Sequence, residues 1–289
     1  MTSRVEIQAA AEHSKMRLED FLLDHFSSLS KMYLRDLVKT AKCEVNGRHE
    51  NIGYKLRAND FVEITVDNTR GTAMRPENID LDIVFEDEQV IVVNKPAGML
   101  VHPSHRENSG TLLNALVYHL NQNTPKLVRP GLIHRLDKQT SGLIVVAKTA
   151  RAHRILSGHF MKKRVEKRYL ALVEGVVLED EGTIEAPIGR FAELKYWSVK
   201  VDGKHSESRF KVRERFKDTT LLELEPVTGR TNQLRIHCEL IGHPIVGDTA
   251  RGGRGFERLC LHAYRLSFSH PSSGERMKFQ SDVPDGFAG

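Results

Sequence analysis

His134-Arg135-Leu136-Asp137 places an imidazole, a guanidinium and a carboxylate within four positions, and Thr140-Ser141-Gly142 follows directly. A carboxylate can attack an electrophilic carbon or remove a proton. Both roles need it ionised, a state that a neighbouring cation favours. Groups with such a task must be held still, and the flanks suit that need. Gly131 to Ile133 and Leu143 to Val146 read as short buried strands, because apolar β-branched residues lie between glycine punctuation. The polar residues then fall on the connection between two strands, a usual place for chemistry. On its own the motif also describes a charged surface turn.

A second constellation runs from Thr228 to His237 and includes Gly229, Arg230, Thr231, Asn232, Gln233 and Arg235. Thr231 is expected to cap a helix reaching Ile241, with Gly242 just beyond its end. A helix start of this kind can hold an anion through its free backbone N–H groups, with Arg230 beside it. Other strands are expected at Tyr169 to Val173, Arg209 to Val212 and Leu221 to Leu224, and as a hairpin formed by Ile83 to Phe85 with Val90 to Val93. Helices are expected over Leu112 to Leu120 and Ala150 to Met161. The latter ends in a strongly basic run, Lys162, Lys163, Arg164, Lys167 and Arg168, around one acid, Glu166.

The chain has 289 residues, enough for one large domain plus a small one. Its 43 basic and 38 acidic residues leave a formal charge of +5, which leans weakly toward a polyanionic partner. Cys43, Cys238 and Cys260 lie far apart, so neither a disulfide scaffold nor a cysteine zinc site is expected, and a cytoplasmic protein is. There is no apolar run long enough to span a membrane, no Gly-rich phosphate loop and no compact pair of histidine ligands. No metal site is expected.

Residues 1–70 read as a module of their own. Leu18, Phe21, Leu22 and Phe26 mark a first helix over about Arg17 to His25, and Ser30 caps a second, on which Leu34, Leu37 and Val38 share a face. Cys43 to Gly47 reads as a strand entering an Asn-Gly turn, and Val62, Ile64 and Val66 alternate along a closing strand. Lys31, Arg35, Lys39 and Lys42 recur every three or four positions, which makes one basic stripe. This order of parts resembles the alpha-L RNA-binding motif, and the resemblance implies that the stripe follows a phosphate backbone. A linker is expected at 71–79.

The catalytic-looking stretch has company in sequence order. Asn94-Lys95-Pro96 with His102-Pro103 precedes it; Lys167 to Gly175, Thr228 to His237, Gly242 to Asp248 and Leu261-His262-Ala263 follow. Together they resemble the RluA family of RNA pseudouridine synthases, over about Leu81 to Phe279. The resemblance implies an α+β protein whose domain 80–289 has a mixed, largely antiparallel sheet with flanking helices and a cleft crossing the sheet. It implies detachment of uracil from ribose, rotation of the base and reattachment through carbon, without cofactor or metal. By the family pattern Asp137 is the catalytic carboxylate, as nucleophile or as base, and Arg235 is the cation that keeps it ionised. Tyr169 stacks on the base, Arg135 fills the gap left by a flipped uridine, and His134 and Arg230 contact RNA. Asn232 stands where the family usually has His. Structured RNA is the implied partner of a monomeric enzyme, with large-subunit ribosomal RNA the first choice and tRNA the second. Two other classes compete. A non-catalytic RNA-binding assembly factor would not need the Asp, Tyr and Arg set, and a carboxylate glycosidase would need a second acid.

Overall fold

The computed structural model describes residues 2–26, 29–67, 75–104, 107–122, 128–191, 193 and 196–287. Part of the expected 71–79 linker lies outside them. The chain divides into two compact units. One comprises Met1–Asn78, Pro103–Ser109 and Val117–Arg129; the other comprises Ile79–His102, Gly110–Leu116 and Pro130–Gly289.

In the first unit, β1 (Thr2–Gln8), α1 (Leu18–His25), α2 (Lys31–Lys39), β2 (Cys43–Val45) and β3 (Phe61–Asp67) form two helices on a three-stranded sheet ordered β1-β3-β2. The apolar faces read from the sequence meet in one core: Leu18, Phe21, Leu22, Leu34, Leu37, Val38, Val62, Ile64 and Val66 are all buried. Ser30 caps α2 by accepting from the Tyr33 N–H at 3.2 Å. Asn46 and Gly47 have φ of 51° and 71°, and Val45 and Arg48 exchange backbone bonds across them, which makes the two-residue turn expected of Asn-Gly. The strand β1 is an addition to the expected elements. Val5 and Ile7 alternate with Arg4 and Glu6, a pattern too short to stand out, and pairing along the whole of β3 makes the strand.

The second unit contains β4 (Ile83–Glu86), β5 (Val90–Lys95), the start of α3 (Leu112–Asn121), β6 (Gly131–Leu132), β7 (Ser141–Ala147), α4 (Ala150–Met161), β8 (Glu166–Glu174), β9 (Glu181–Glu185), β10 (Ile188–Phe191), β11 (Tyr196–Val199), β12 (Glu207–Arg215), β13 (Thr219–Pro226), α5 (Gln233–Leu240), β14 (Leu261–Ser269) and β15 (Arg276–Gln280). Ten of these strands form one sheet ordered β4-β5-β7-β14-β8-β13-β12-β9, with β6 on β7 and β15 on β14; β10 and β11 form a separate hairpin. This is a mixed, largely antiparallel sheet in an α+β fold, since β7 with β14 is its one parallel pair among the described residues. Strand β7 is buried along its whole length because both faces are covered. Ile144 and Val146 pack with Leu112 and Leu116 of α3, while Leu143 and Val145 pack with Leu156 of α4.

The pairing of β7 with β14 covers only Ser141 with His262 and Gly142 with Ala263. Beyond that point β6 takes the free edge of β7, and β15 takes that of β14. The two halves of the sheet thus separate beside the connection that carries Asp137. Gly142 permits the close approach: its φ is +114°, and a Cβ there would collide with the Ala263 backbone. One sequence expectation needs correction. The strand before the connection is only Gly131–Leu132 and is half-buried; Ile133 lies outside it, because β7 offers β6 only two partners.

Candidate active site

Asp137 is fixed from both sides. Leu136 is buried in the core, and the Lys138 carbonyl accepts from Gly98 N–H at 2.8 Å and from the Lys95 ammonium at 3.2 Å. Lys95, at the end of β5, is fully buried. It also donates to the carbonyls of Pro96 at 2.7 Å and Met99 at 2.9 Å. Burial pulls its pKa down to about 8, against the attraction of Asp137. The Asn94-Lys95-Pro96 turn therefore serves as the clamp for the loop behind Asp137. The sequence offered one signal of this, a lysine closing the apolar run Val90 to Val93.

The residues read as two separate constellations line one cavity of about 490 Å³, a size typical of small-molecule sites. Its walls are the Asp137 connection, the end of α4, Lys167 and Tyr169 of β8, and residues 226–235. His134, Arg135, Asp137, Tyr169, Arg230 and Arg235 are thus brought together. Lys31, Arg35, Lys39 and Lys42 belong to the other unit. They are exposed, as expected of a stripe, but Glu19 pairs with both Lys31 and Arg35.

Arg235 rises from α5 with a two-pronged bond to the buried Asp248, at 2.6 and 2.7 Å. It therefore acts on Asp137 as a fixed charge. Burial raises the Asp137 carboxyl above the ordinary carboxylate range. Arg235, then Arg135, Lys95 and Arg251 pull it back, and burial prevails. Arg235 gives the largest of these opposing pulls. Tyr169, buried on β8 between partners Leu224 and Ala263, has its phenol pushed well up by burial and by the Asp137 charge. It is held as a neutral hydrogen-bonding group.

Three details of the second constellation differ from the sequence reading. Asn232, not Thr231, is the N-cap of α5. It sits in the left-handed region at φ 55°, which asparagine tolerates well, and makes no side-chain cap. Its Oδ1 accepts from Arg235 Nη1 at 3.2 Å, so the unusual residue joins Asp248 in orienting that arginine. The backbone N–H of Arg230 is taken by Gln233 Oε1 at 2.9 Å, and its Nε donates to the His205 carbonyl. The turn that leads into α5 is thus organised by Gln233. His134 lines the cavity and also has protein partners. Its ring stacks on Phe160 at 4.7 Å and its Nε2 accepts from Val145 N–H, while burial lowers its pKa to about 3. Among the described residues, no group of three His, Cys, Asp or Glu side chains could hold a metal ion.

Comparison with known proteins agrees with this geometry. The family model for RNA pseudouridylate synthase matches residues 89–240, which include the Asp137 connection, Tyr169 and Arg235. The chain belongs to the RluA family of RNA pseudouridine synthases. Among its relatives, an uncharacterized RNA pseudouridine synthase, YlyB, of Bacillus subtilis is 39% identical over 99% of this chain and 96% of its own length. The ribosomal large subunit pseudouridine synthase D of Pseudomonas aeruginosa is 37% identical over 97% of this chain and 94% of its own. In structure, the human RNA pseudouridylate synthase domain containing 1 superposes with a TM-score of 0.60 at 30% identity, covering 74% of this chain and 86% of that one. As a member of this family the protein is an isomerase acting on RNA. Among its described residues no helix is long and apolar enough to cross a membrane.

Proposed function

We propose that this enzyme converts uridines of large-subunit ribosomal RNA to pseudouridine, with Asp137 as the reacting carboxylate. The observation that carries the assignment is a single half-buried carboxylate in a cavity whose other charged groups are cations, faced by a buried phenol. Ribosomal RNA is supported by full-length relatives named ribosomal large subunit pseudouridine synthase D, at 33 to 37% identity. Residues 1–70 serve as an alpha-L type RNA-binding module, a role supported by the exposed Lys39 and Lys42 at the end of α2. The enzyme is read as a monomer, and three separately buried thiols suit a cytoplasmic enzyme.

A uracil stacked in a helix cannot present its glycosidic bond to Asp137, so the nucleotide is extruded at a cost of a few kcal/mol. Arg135 is exposed at the cavity wall, two residues from the acid, and its planar guanidinium can stack on neighbouring bases and bond to the abandoned partner. Asp137, ionised, attacks the sugar or removes a proton from it as the C1′–N1 bond breaks. Tyr169 holds the freed uracil while it turns; a ring carbon of the base then bonds to C1′ as the Asp137–sugar bond breaks or the abstracted proton returns to the sugar, and that carbon loses its proton while N1 gains one. Arg235 stabilises Asp137 whenever it is ionised, before the reaction and after its release. Mapping pseudouridines in RNA from cells lacking the gene tests the target: a site lost from large-subunit RNA is expected, and a loss confined to tRNA would overturn that choice.

A further inference from the structure

Adjacent side chains of β8 project to opposite faces of the sheet, and their charges are treated differently. Arg168 points away from the cavity and is paired with Glu225 at 2.6 Å and Glu166 at 3.4 Å. Lys167 shares the cavity face with Tyr169, two residues on, and lines the pocket. No carboxylate among the described residues pairs with it; the group facing its ammonium is the Phe160 ring, 5.9 Å from Nζ. Burial lowers its pKa, with no acid opposing the shift. A partly buried cation without a counter-ion is costly unless function brings one. This part of the cavity is also walled by Lys163, with φ 54°, and by Met161, 80% exposed at the end of α4.

We propose that Lys167 binds a phosphate of the RNA strand directly flanking the target uridine, supplying the anion that its surroundings lack. The inference rests on Asp137 marking where that nucleotide reacts. The uridine must enter with its two backbone phosphates, and the Asp137 end of the cavity already holds one negative charge. The Phe160 and Lys167 end has none, so no acid there opposes a phosphate or already occupies the cation. An ammonium reaching a phosphate forms a charge-assisted hydrogen bond in a poorly hydrated place, where such bonds are strong. Uniform binding of this kind lowers KM and leaves kcat unchanged.

The test uses the full-length enzyme and an RNA hairpin around the mapped uridine, synthesised with a neutral methylphosphonate either 5′ or 3′ of it. Lys167→Met keeps the apolar stem and loses the charge, whereas Lys167→Arg keeps the charge. Lys167→Met is expected to raise KM ~10-fold or more with kcat unchanged and to flatten the salt slope of log affinity by about 0.7. One of the two methylphosphonates should cost the wild-type enzyme a similar factor and cost Lys167→Met nothing further; which one does so tells the 5′ phosphate from the 3′. Lys167→Arg should restore most of the affinity. The proposal is overturned if both neutral linkages penalise Lys167→Met as much as wild type, since the lysine then contacts the base or only braces Phe160. A kcat loss alongside an unchanged melting temperature overturns it too. Failure of the Asp137 assignment would be seen separately, as turnover by Asp137→Asn on the same hairpin.

Discussion

Replacing Lys95 by Met removes a buried charge from behind the catalytic loop, and the structure sets the size of the effect. The Lys95 ammonium has a pKa of about 8, against 10.5 in water, so burial disfavours its charged form by about 3.4 kcal/mol. The sign follows from the direction of the shift. The folded state holds this proton less tightly than the unfolded state, so the penalty is fully present below pH 8. It is relieved as pH rises from about 8 to 10.5. The stability of the wild type minus that of Lys95→Met should therefore climb by about 1.4 kcal/mol per pH unit across that window and stay level below it. Urea unfolding of both proteins at several pH values measures this difference, in which other titrating groups cancel. The variant also leaves the carbonyls of Pro96 and Met99 without their donor, each worth about 1–3 kcal/mol when buried, and leaves the Lys138 carbonyl with the Gly98 N–H alone. Without the bond to the Lys138 carbonyl the Asp137 loop can shift, and a displacement near 1 Å can lower turnover on the order of 100-fold. Because Lys95 pulls the Asp137 carboxyl down, the acid limb of the pH–rate profile should move to higher pH in the variant. A flat stability difference between pH 8 and 10, with an unmoved acid limb, would refute this reasoning.

Other substitutions probe separate parts of the account. In the wild type, kcat/KM should fall on the acid side at a pH above the ordinary carboxyl range, because burial raises Asp137; a limb at or below pH 4 would contradict that. Gly142→Ala should destabilise the protein by about 1–3 kcal/mol from backbone strain alone, read from the urea midpoint, since φ is +114° and the new Cβ meets the Ala263 backbone. Neutralising Lys39 and Lys42 should flatten the salt dependence of RNA affinity by ~0.7 to 0.9 for each phosphate no longer neutralised, whereas neutralising Lys31 or Arg35, already paired with Glu19, should flatten it less. Arg135→Lys should be most defective on a structured RNA and recover on one whose target uridine is already unpaired; equal loss on both would point to bracing of the loop.

The sequence made the chemistry more legible than the architecture around it. Asp137 stood out because a lone acid among cations interrupts two apolar runs, a signal local to a dozen residues. The separation of β7 from β14 depends on a pairing between residues some 120 positions apart, and nothing local encodes it. The fork between Arg235 and Asp248 was hidden for the same reason: a turn and the end of a helix bring the two together. The packing of His134 was hidden too. Its place beside Arg135 and Asp137 suggested a contact with RNA, and the stacking of its ring on Phe160 is a contact that only the folded chain supplies. The basic run from Lys162 to Arg168 read as one cluster. Strand alternation divides it, sending Arg168 to Glu225 and Lys167 into the cavity.

The most direct test of the central claim is Asp137→Asn on a hairpin that the wild-type enzyme converts, with RNA affinity and pseudouridine formation measured on the same preparation. The account predicts binding about equal to wild type with no detectable turnover, because the amide keeps the shape of the side chain and cannot supply the ionised oxygen. Substantial turnover by a preparation free of wild-type enzyme would contradict it.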